Sequence, residues 1–189
     1  MNEKKEASFC SKEVWKKKFE KKYFIIRKNF NNDTRDKFFQ ETTKLINQNF
    51  KKFYFVSGGT LLGLIRENDF IKWDDNIDLS FYLEKNTFVD LIKLQKILIK
   101  KDYIARVSEK KNYSKIQVYK YGYRLDLTSI FKVNKFYISN LYKFPSDCLD
   151  EYKTVNFKNI NVKIPKNYNK YLTFLYGNWR FPQKDNYAT

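Results

Sequence analysis

Histidine is absent from all 189 residues of the chain. That removes the commonest general base and the commonest transition-metal ligand, so acid-base work and metal binding must fall to carboxylates. Cysteine is almost as scarce: Cys10 and Cys148 lie far apart, and neither has a CxxC partner. Such spacing supports neither a disulfide framework nor a zinc cluster, and a reduced compartment is the default. Long apolar runs are missing too. No uncharged stretch reaches the roughly 18 residues a membrane helix needs, and the N-terminal Met-Asn-Glu-Lys-Lys-Glu-Ala-Ser-Phe-Cys contains no leader-like apolar segment. The expectation is a cytoplasmic protein, at most peripheral at a membrane face. No internal repeat, linker or low-complexity tract is visible.

Aromatic rings and positive charge are plentiful. Hydrophobic residues make up 42% of the chain and aromatics 19%, with 18 Phe and 15 Tyr, so the core must be rich in rings, which argues against disorder. The length fits one domain with a helical extension, able to bury roughly two-thirds of its unfolded surface. The net charge of +17, from 38 Lys and Arg against 21 Asp and Glu, permits an anionic partner such as a nucleotide, a phosphoglycan, a nucleic acid or an acidic lipid surface. The abundance of Lys, Asn, Ile, Phe and Tyr also matches an AT-rich genome, which accounts for part of that excess.

Residues 12 to 31 place Trp15, Phe19, Tyr23, Ile26 and Phe30 at helical spacing between lysines, a basic amphipathic helix that either packs on the domain or docks on a membrane or partner. A second helix is signalled by Asn32 or Asp33 as N-cap, with Phe38, Phe39, Leu45, Ile46 and Phe50 on one stripe. These helices define an extension over 1–50, packed on a core domain over 51–189. In that domain, 53–56 reads as a buried strand stopped by Ser57-Gly58-Gly59, and Thr60 to Arg66 as a helix. Ile77 to Leu83 alternates as a strand, and Thr87 with Asp90 forms a capping-box signal for a helix to about Lys100. Residues 103–107, 113–120 and 123–131 are further strand candidates. The pattern then weakens from about 132 until Pro165, and Asn169 to Tyr176 reads as a helix ended by Gly177. The sum is an α+β fold with a mainly antiparallel or mixed sheet.

Three features carry chemistry. The turn Ser57-Gly58-Gly59-Thr60 lets the backbone approach a ligand, and the helix start behind it offers N–H groups to a phosphate; the same dipeptide also serves as a plain turn. In the extended run Trp73-Asp74-Asp75-Asn76-Ile77-Asp78, the oxygen-bearing side chains at 74, 76 and 78 share one face and suit a hard cation such as Mg²⁺ or Mn²⁺, whereas an acidic turn before a strand needs no ligand. Asp126 sits inside the apolar strand Arg124-Leu125-Asp126-Leu127, so its carboxylate must face a cation, a donor cluster or a sheet edge. Arg66 and Lys72 read either as charge-neutralising site residues or as ordinary surface cations. Trp73 reads as a core anchor for the acidic run, and Tyr168, Tyr171, Tyr176 and Trp179 as packing of the last helix.

Taken in order, Ser57 to Arg66, Phe70 to Leu79, Arg124-Leu125-Asp126-Leu127 with Ile130-Phe131, and Val162 to Tyr168 with Tyr171 to Trp179 resemble the motifs of the LicD/fukutin family of phosphotransferases over about 53–182. The resemblance implies a nucleotidyltransferase-like mixed sheet flanked by helices. It also implies transfer of a phospho-alcohol, such as phosphocholine or a polyol phosphate, from a CDP-linked donor onto a glycan or lipid-linked saccharide, with no role for nucleic acid. In the roles it implies, Asp74, Asn76, Asp78 and Asp126 hold the metal, while Gly58, Gly59, Thr60 and Lys72 bind the donor. Asp78, Asp126 and Arg66 take part in catalysis. The family usually has Asp where Asn76 stands and often His where Glu67 stands, so this chain offers a neutral amide oxygen at the first of these positions. Nucleotidyl transfer, or a degenerate anion-binding module, are the competing readings.

Overall fold

The computed structural model describes residues 31–74, 76–110, 112–139 and 142–182. The amphipathic stretch at 12–31 therefore lies outside the described residues except for its last position. Helix α1, Asn32–Asn49, begins one residue before the expected start. Its N-cap is Asn31, whose side chain accepts from the Asp33 N–H, and Phe50 closes it. Strand β1, Tyr54–Val56, runs into helix α2, Gly58–Glu67, and strand β2 spans Asn76–Tyr82. Helix α3, Thr87–Lys100, is capped by Asn86 in the left-handed region. The expected Thr87 cap is not used as one: its hydroxyl turns back, accepting from the Glu84 N–H and donating to the Glu84 carbonyl, so the loop takes the hydroxyl that the helix would have used.

Strands β3 (Ile104–Lys110), β4 (Tyr113–Lys120) and β5 (Tyr123–Val133) complete the main sheet in the order β1-β2-β5-β4-β3. Strand β2 pairs with β5 in parallel, and the other pairings are antiparallel, so the sheet is mixed. Short strands β6 (Phe136–Ile138) and β7 (Lys143–Pro145) extend β5. A separate hairpin, β8 (Tyr152–Phe157) with β9 (Ile160–Pro165), occupies the stretch where the sequence pattern weakens. Its turn uses Lys158 and Asn159, both at positive φ, rather than glycine or proline, so the usual hairpin signal is missing. Helix α4, Tyr168–Tyr176, ends at Gly177 as expected. Among the described residues no helix is long and apolar enough to cross a membrane.

Strand alternation divides the sheet into two chemically distinct faces. Ile77, Leu79 and Phe81 of β2, Leu125 and Leu127 of β5, and Ile116 and Val118 of β4 form one buried face. Helices α1 and α3 cover it with Phe38, Phe39, Ile46, Leu91, Leu94 and Leu98, and rings such as Phe50 against Phe81 interlock at 5.2 Å. The opposite face carries Asn76, Asp78, Arg124, Asp126, Lys115 and Gln117. A single cluster of buried residues includes side chains from α1, the sheet, the β8–β9 hairpin and α4.

The loop leading into β2 is pinned from two sides. Buried Arg35 of α1 donates to the Ile71 carbonyl at 3.1 Å and stacks over Phe70 at 4.8 Å. Lys158 in the hairpin turn pairs with Asp36 at 2.9 Å and with Asp69 at 2.7 Å. Replacing Arg35 with Met should therefore destabilise the fold by about 2 kcal/mol, through the lost hydrogen bond and ring contact. Urea unfolding of the variant checks this, and a change below about 0.5 kcal/mol would contradict it.

Candidate active site

The site forms where the start of α2 meets the start of β2 and the middle of β5. The Ser57 backbone N–H donates to the Asp78 carbonyl at 3.1 Å, and the Asp78 N–H donates to Thr60 Oγ1 at 2.8 Å. Thr60 is buried, and its hydroxyl fixes the start of the strand. The Ser57 hydroxyl accepts from Ser80 Oγ at 2.8 Å and makes no capping bond. The first turn of α2 also has no acidic residue of its own, and its partial positive charge meets the Asp78 carboxylate. Gly59 donates to Asp78 Oδ2 at 3.3 Å, and the buried Tyr171 phenol of α4 lies against the Gly58 N–H.

Gly58 and Gly59 are required for a steric reason. Gly58 has φ +53, and a Cβ there would lie 2.7 Å from Asp78 Oδ2; a Cβ on Gly59 would lie 2.3 Å from Asp74 Oδ2. Both carboxylates thus press directly on the glycine turn. Because the atom met at Gly59 ends a flexible side chain, Gly59→Ala should fold with a stability change within about 1 kcal/mol while displacing Asp74. Calorimetry with Mn²⁺ should then show weakening of about tenfold or more, a loss of about 1.4 kcal/mol. Unchanged affinity would separate the turn from cation binding.

Parallel pairing of β2 with β5 places Asp78 directly opposite Asp126. The two carboxylates therefore project from adjacent strands on the same face, about 5 Å apart at the backbone. Asp74, one turn earlier, accepts the Asn76 N–H at 3.2 Å, and Asn76 Nδ2 donates to Asp78 Oδ1 at 2.7 Å. In this arrangement the Asn76 amide orients Asp78. Burial, followed by the charges of Asp126 and Asp74, raises the Asp78 carboxyl to about 7, against the opposing pull of the Gly59 N–H and Lys115.

Asp126 has its own partners. Lys115 Nζ lies 2.7 Å from its Oδ2, Gln117 Nε2 donates to Oδ1 at 3.2 Å, and Arg124 Nε is 3.5 Å from the same oxygen. Lys115 and Gln117 come from β4, and Gln117 is the register partner of Asp126. Sequence reasoning recognised β4 but assigned nothing to its polar side. The signal was present in the alternation of Tyr113, Lys115 and Gln117 with buried Ser114, Ile116 and Val118. Tyr142, Tyr171 and Tyr176 surround Asp78 electrostatically; burial first, and then that carboxylate, hold their phenols protonated above the ordinary tyrosine range.

The geometry thus brings together Gly58, Gly59, Thr60, Asp74, Asn76, Asp78 and Asp126. Arg66 points elsewhere: it pairs with Glu67 at 2.6 Å and donates to the Trp179 carbonyl at 3.2 Å. Lys72 is exposed in the turn before Asp74. Trp73 is 55% exposed and not the expected core anchor, because the buried positions of the loop are taken by Phe70 and Ile71. Tyr171 and Trp179 are buried as expected, with Tyr168 and Tyr176 packed against the core.

Among the described residues no three His, Cys, Asp or Glu side chains form a ready-made metal cage. The donor chemistry nevertheless fits a hard divalent cation. Carboxylate oxygens from Asp74 and Asp78 both crowd the glycine turn in a partly buried site, the hard oxygen donors that such an ion takes.

Residues 51–167 match the family model for the LicD/FKTN/FKRP nucleotidyltransferase domain. No curated protein sequence matches the chain. Among solved structures, a solution structure of the antibiotic-resistance factor ANT(2'')-Ia is similar with a TM-score of 0.48 and 14% identity, covering 71% of this chain and 66% of that one. A crystal structure of ANT(2'')-Ia in complex with adenylyl-2''-tobramycin is similar with a TM-score of 0.45 and 15% identity, covering 69% of this chain and 70% of that one.

Proposed function

Because the chain belongs to the LicD/FKTN/FKRP nucleotidyltransferase-domain family, we propose that it is a transferase moving a phospho-alcohol from a CDP-linked donor onto a glycan or glycolipid hydroxyl. The observation that carries this reading is the in-register pair Asp78 and Asp126 beside the Gly58-Gly59 turn. Phosphocholine and polyol phosphates are the alcohols in view. The site faces an anionic donor with backbone N–H groups, a helix N-terminus and Lys115, and it offers carboxylates to a cation.

Asp74 and Asp78 would hold Mg²⁺ or Mn²⁺, with Asn76 steadying Asp78; the ion supplies neutralising charge at the donor's diphosphate. The chain's own groups do the rest. Donor phosphate oxygens would take over the Gly58 and Gly59 N–H groups from the Tyr171 phenol and Asp78 Oδ2 that hold them here. The acceptor hydroxyl attacks the phosphorus bearing the alcohol, and the bond to CMP breaks. Its proton passes to Asp126, since the chain contains no histidine. Exposed Lys72, next to the acidic loop, adds positive charge at the entrance.

Product analysis tests the reading. Incubation with a panel of CDP-alcohols, Mg²⁺ and a glycolipid acceptor should release CMP. The family's nucleotidyltransferase domain favours one competing reaction, transfer of a nucleotidyl group, and release of pyrophosphate from CTP with no CMP from any CDP-alcohol would establish that instead.

A further inference from the structure

One row of side chains runs across four strands of the main sheet. Asp78 of β2 is the register partner of Asp126 of β5, Asp126 is that of Gln117 of β4, and Gln117 is that of Arg106 of β3. At the usual strand spacing Arg106 stands about 10 Å from Asp126 on the same face. A second row, Thr128, Lys115 and Ser108, runs beside the first. Arg106, Ser108, Lys115, Gln117 and Thr128 all stay partly exposed, whereas the alternating residues Ala105, Ile116, Val118, Leu125 and Leu127 are buried. Charge on the exposed face is lopsided. Arg106, Lys115 and Arg124 are cationic, and β3, β4 and β5 place one carboxylate among them, Asp126; Glu109 alternates to the other side of β3. Asp126 is already met by Lys115, so the face keeps a surplus of positive charge.

We propose that this face of β4 and β3 is the acceptor subsite, and that the acceptor is a phosphorylated saccharide whose phosphate meets Arg106. The proposal rests on the reading of the chain as a phospho-alcohol transferase and names that reaction's acceptor more closely. The donor's phosphates belong at the Gly58-Gly59 turn, on the β2 side of the site. In phosphoryl transfer the attacking and leaving oxygens lie roughly in line, so the acceptor hydroxyl approaches phosphorus from the side away from CMP. Asp126, which takes the hydroxyl's proton, lies on that side, and the row leads from it through Gln117 to Arg106. The Gln117 amide and the Ser108 and Thr128 hydroxyls suit the hydroxyls of a sugar. A guanidinium matches a phosphate with two parallel N–H donors, and the surplus positive charge favours an anionic sugar over a neutral one.

NMR titration of the full chain tests it, with glucose 6-phosphate, glucose and inorganic phosphate as the probes. The resonances followed are the Gln117 side-chain amide and the backbone amides of β3, β4, Gly58 and Gly59. Glucose 6-phosphate should shift Gln117 and the residues around Arg106, while glucose and inorganic phosphate, each offering half of the contacts, should bind there at least about tenfold more weakly. Arg106→Gln should weaken glucose 6-phosphate by about tenfold, and Arg106→Lys by less, since it keeps the charge and loses the paired donors. K93Q removes the same charge from an exposed position of α3 and should leave binding unchanged. Shifts confined to Gly58 and Gly59, inorganic phosphate as effective as the sugar phosphate, or equal binding by wild type and Arg106→Gln would each overturn the proposal. So would K93Q weakening binding as much as Arg106→Gln, since that is the mark of net charge alone. If no CDP-alcohol yields CMP, the transferase reading fails by itself, and Arg106-dependent shifts at Gln117 would still establish a sugar-phosphate subsite.

Discussion

Asp78→Asn should lower transfer by about 10³-fold and at the same time make the protein more stable above neutral pH. The loss follows from removing a carboxylate that faces Asp126 across the β2–β5 pair and touches the glycine turn. The gain follows from linkage. The Asp78 carboxyl stands at about 7 in the folded chain, against an ordinary value of 3.8, because burial, and then the neighbouring carboxylates, oppose its charge. Between these values the folded chain holds a proton that the unfolded chain has released. Stability therefore falls as pH rises through that window and stays lowered above it. Asn cannot ionise, so the variant should lose this slope and exceed wild type by on the order of 2 kcal/mol at pH 8. Chemical unfolding at pH 5 and pH 8 reads the effect. Parallel pH profiles for the two proteins would remove Asp78 as the strained group. Mg²⁺ should narrow the gap at pH 8, since the ion supplies to wild type what the substitution removes by neutralisation.

The largest loss of stability is expected at a glycine with no catalytic part. A Cβ on Gly63 would lie 2.5 Å from the Asp69 carbonyl oxygen and 2.9 Å from the Ile71 nitrogen. These are backbone atoms of the loop that delivers Asp74, and that loop is already held by Arg35 and Lys158. It cannot step aside as a carboxylate tip can. Gly63→Ala should cost about 3 kcal/mol and displace Asp74 as well, so both the urea midpoint and Mn²⁺ affinity fall. This contrasts with Gly59→Ala, where the cation affinity falls and the stability does not. A Gly63→Ala protein as stable as wild type would mean that the α2 helix and the 69–71 loop approach each other less closely than they do here.

The parts of the site that could be read from sequence were those set by local spacing. The Gly58-Gly59 turn, the alternation of Asp74, Asn76 and Asp78, and the buried setting of Asp126 each follow from a few neighbouring residues. What could not be read was pairing. Nothing local states that β2 lies parallel to β5 with Asp78 opposite Asp126, because the two are far apart in the sequence. Lys115 and Gln117 were hidden for the same reason: a polar side of β4 acquires meaning only once β5 is its neighbour. The β8–β9 hairpin escaped because Lys158 and Asn159 make its turn without glycine. Trp73 was misplaced because hydrophobicity alone assigns a large ring to the core, while Phe70 and Ile71 had already filled the space beneath the loop.

Helices outside the matched segment also contribute to the site. Tyr171 of α4 lies against Gly58, and Arg35 of α1 holds the loop that carries Asp74. This face of the sheet is therefore steadied by elements before and after residues 51–167.

Anomalous diffraction from crystals grown with Mn²⁺ and CDP addresses the central claim most directly. The expected map has one Mn²⁺ peak between the Asp74 and Asp78 carboxylates, a CDP phosphate on the Gly58 and Gly59 N–H groups, and Lys115 still paired with Asp126. A peak elsewhere, or CDP bound away from the glycine turn, would contradict it.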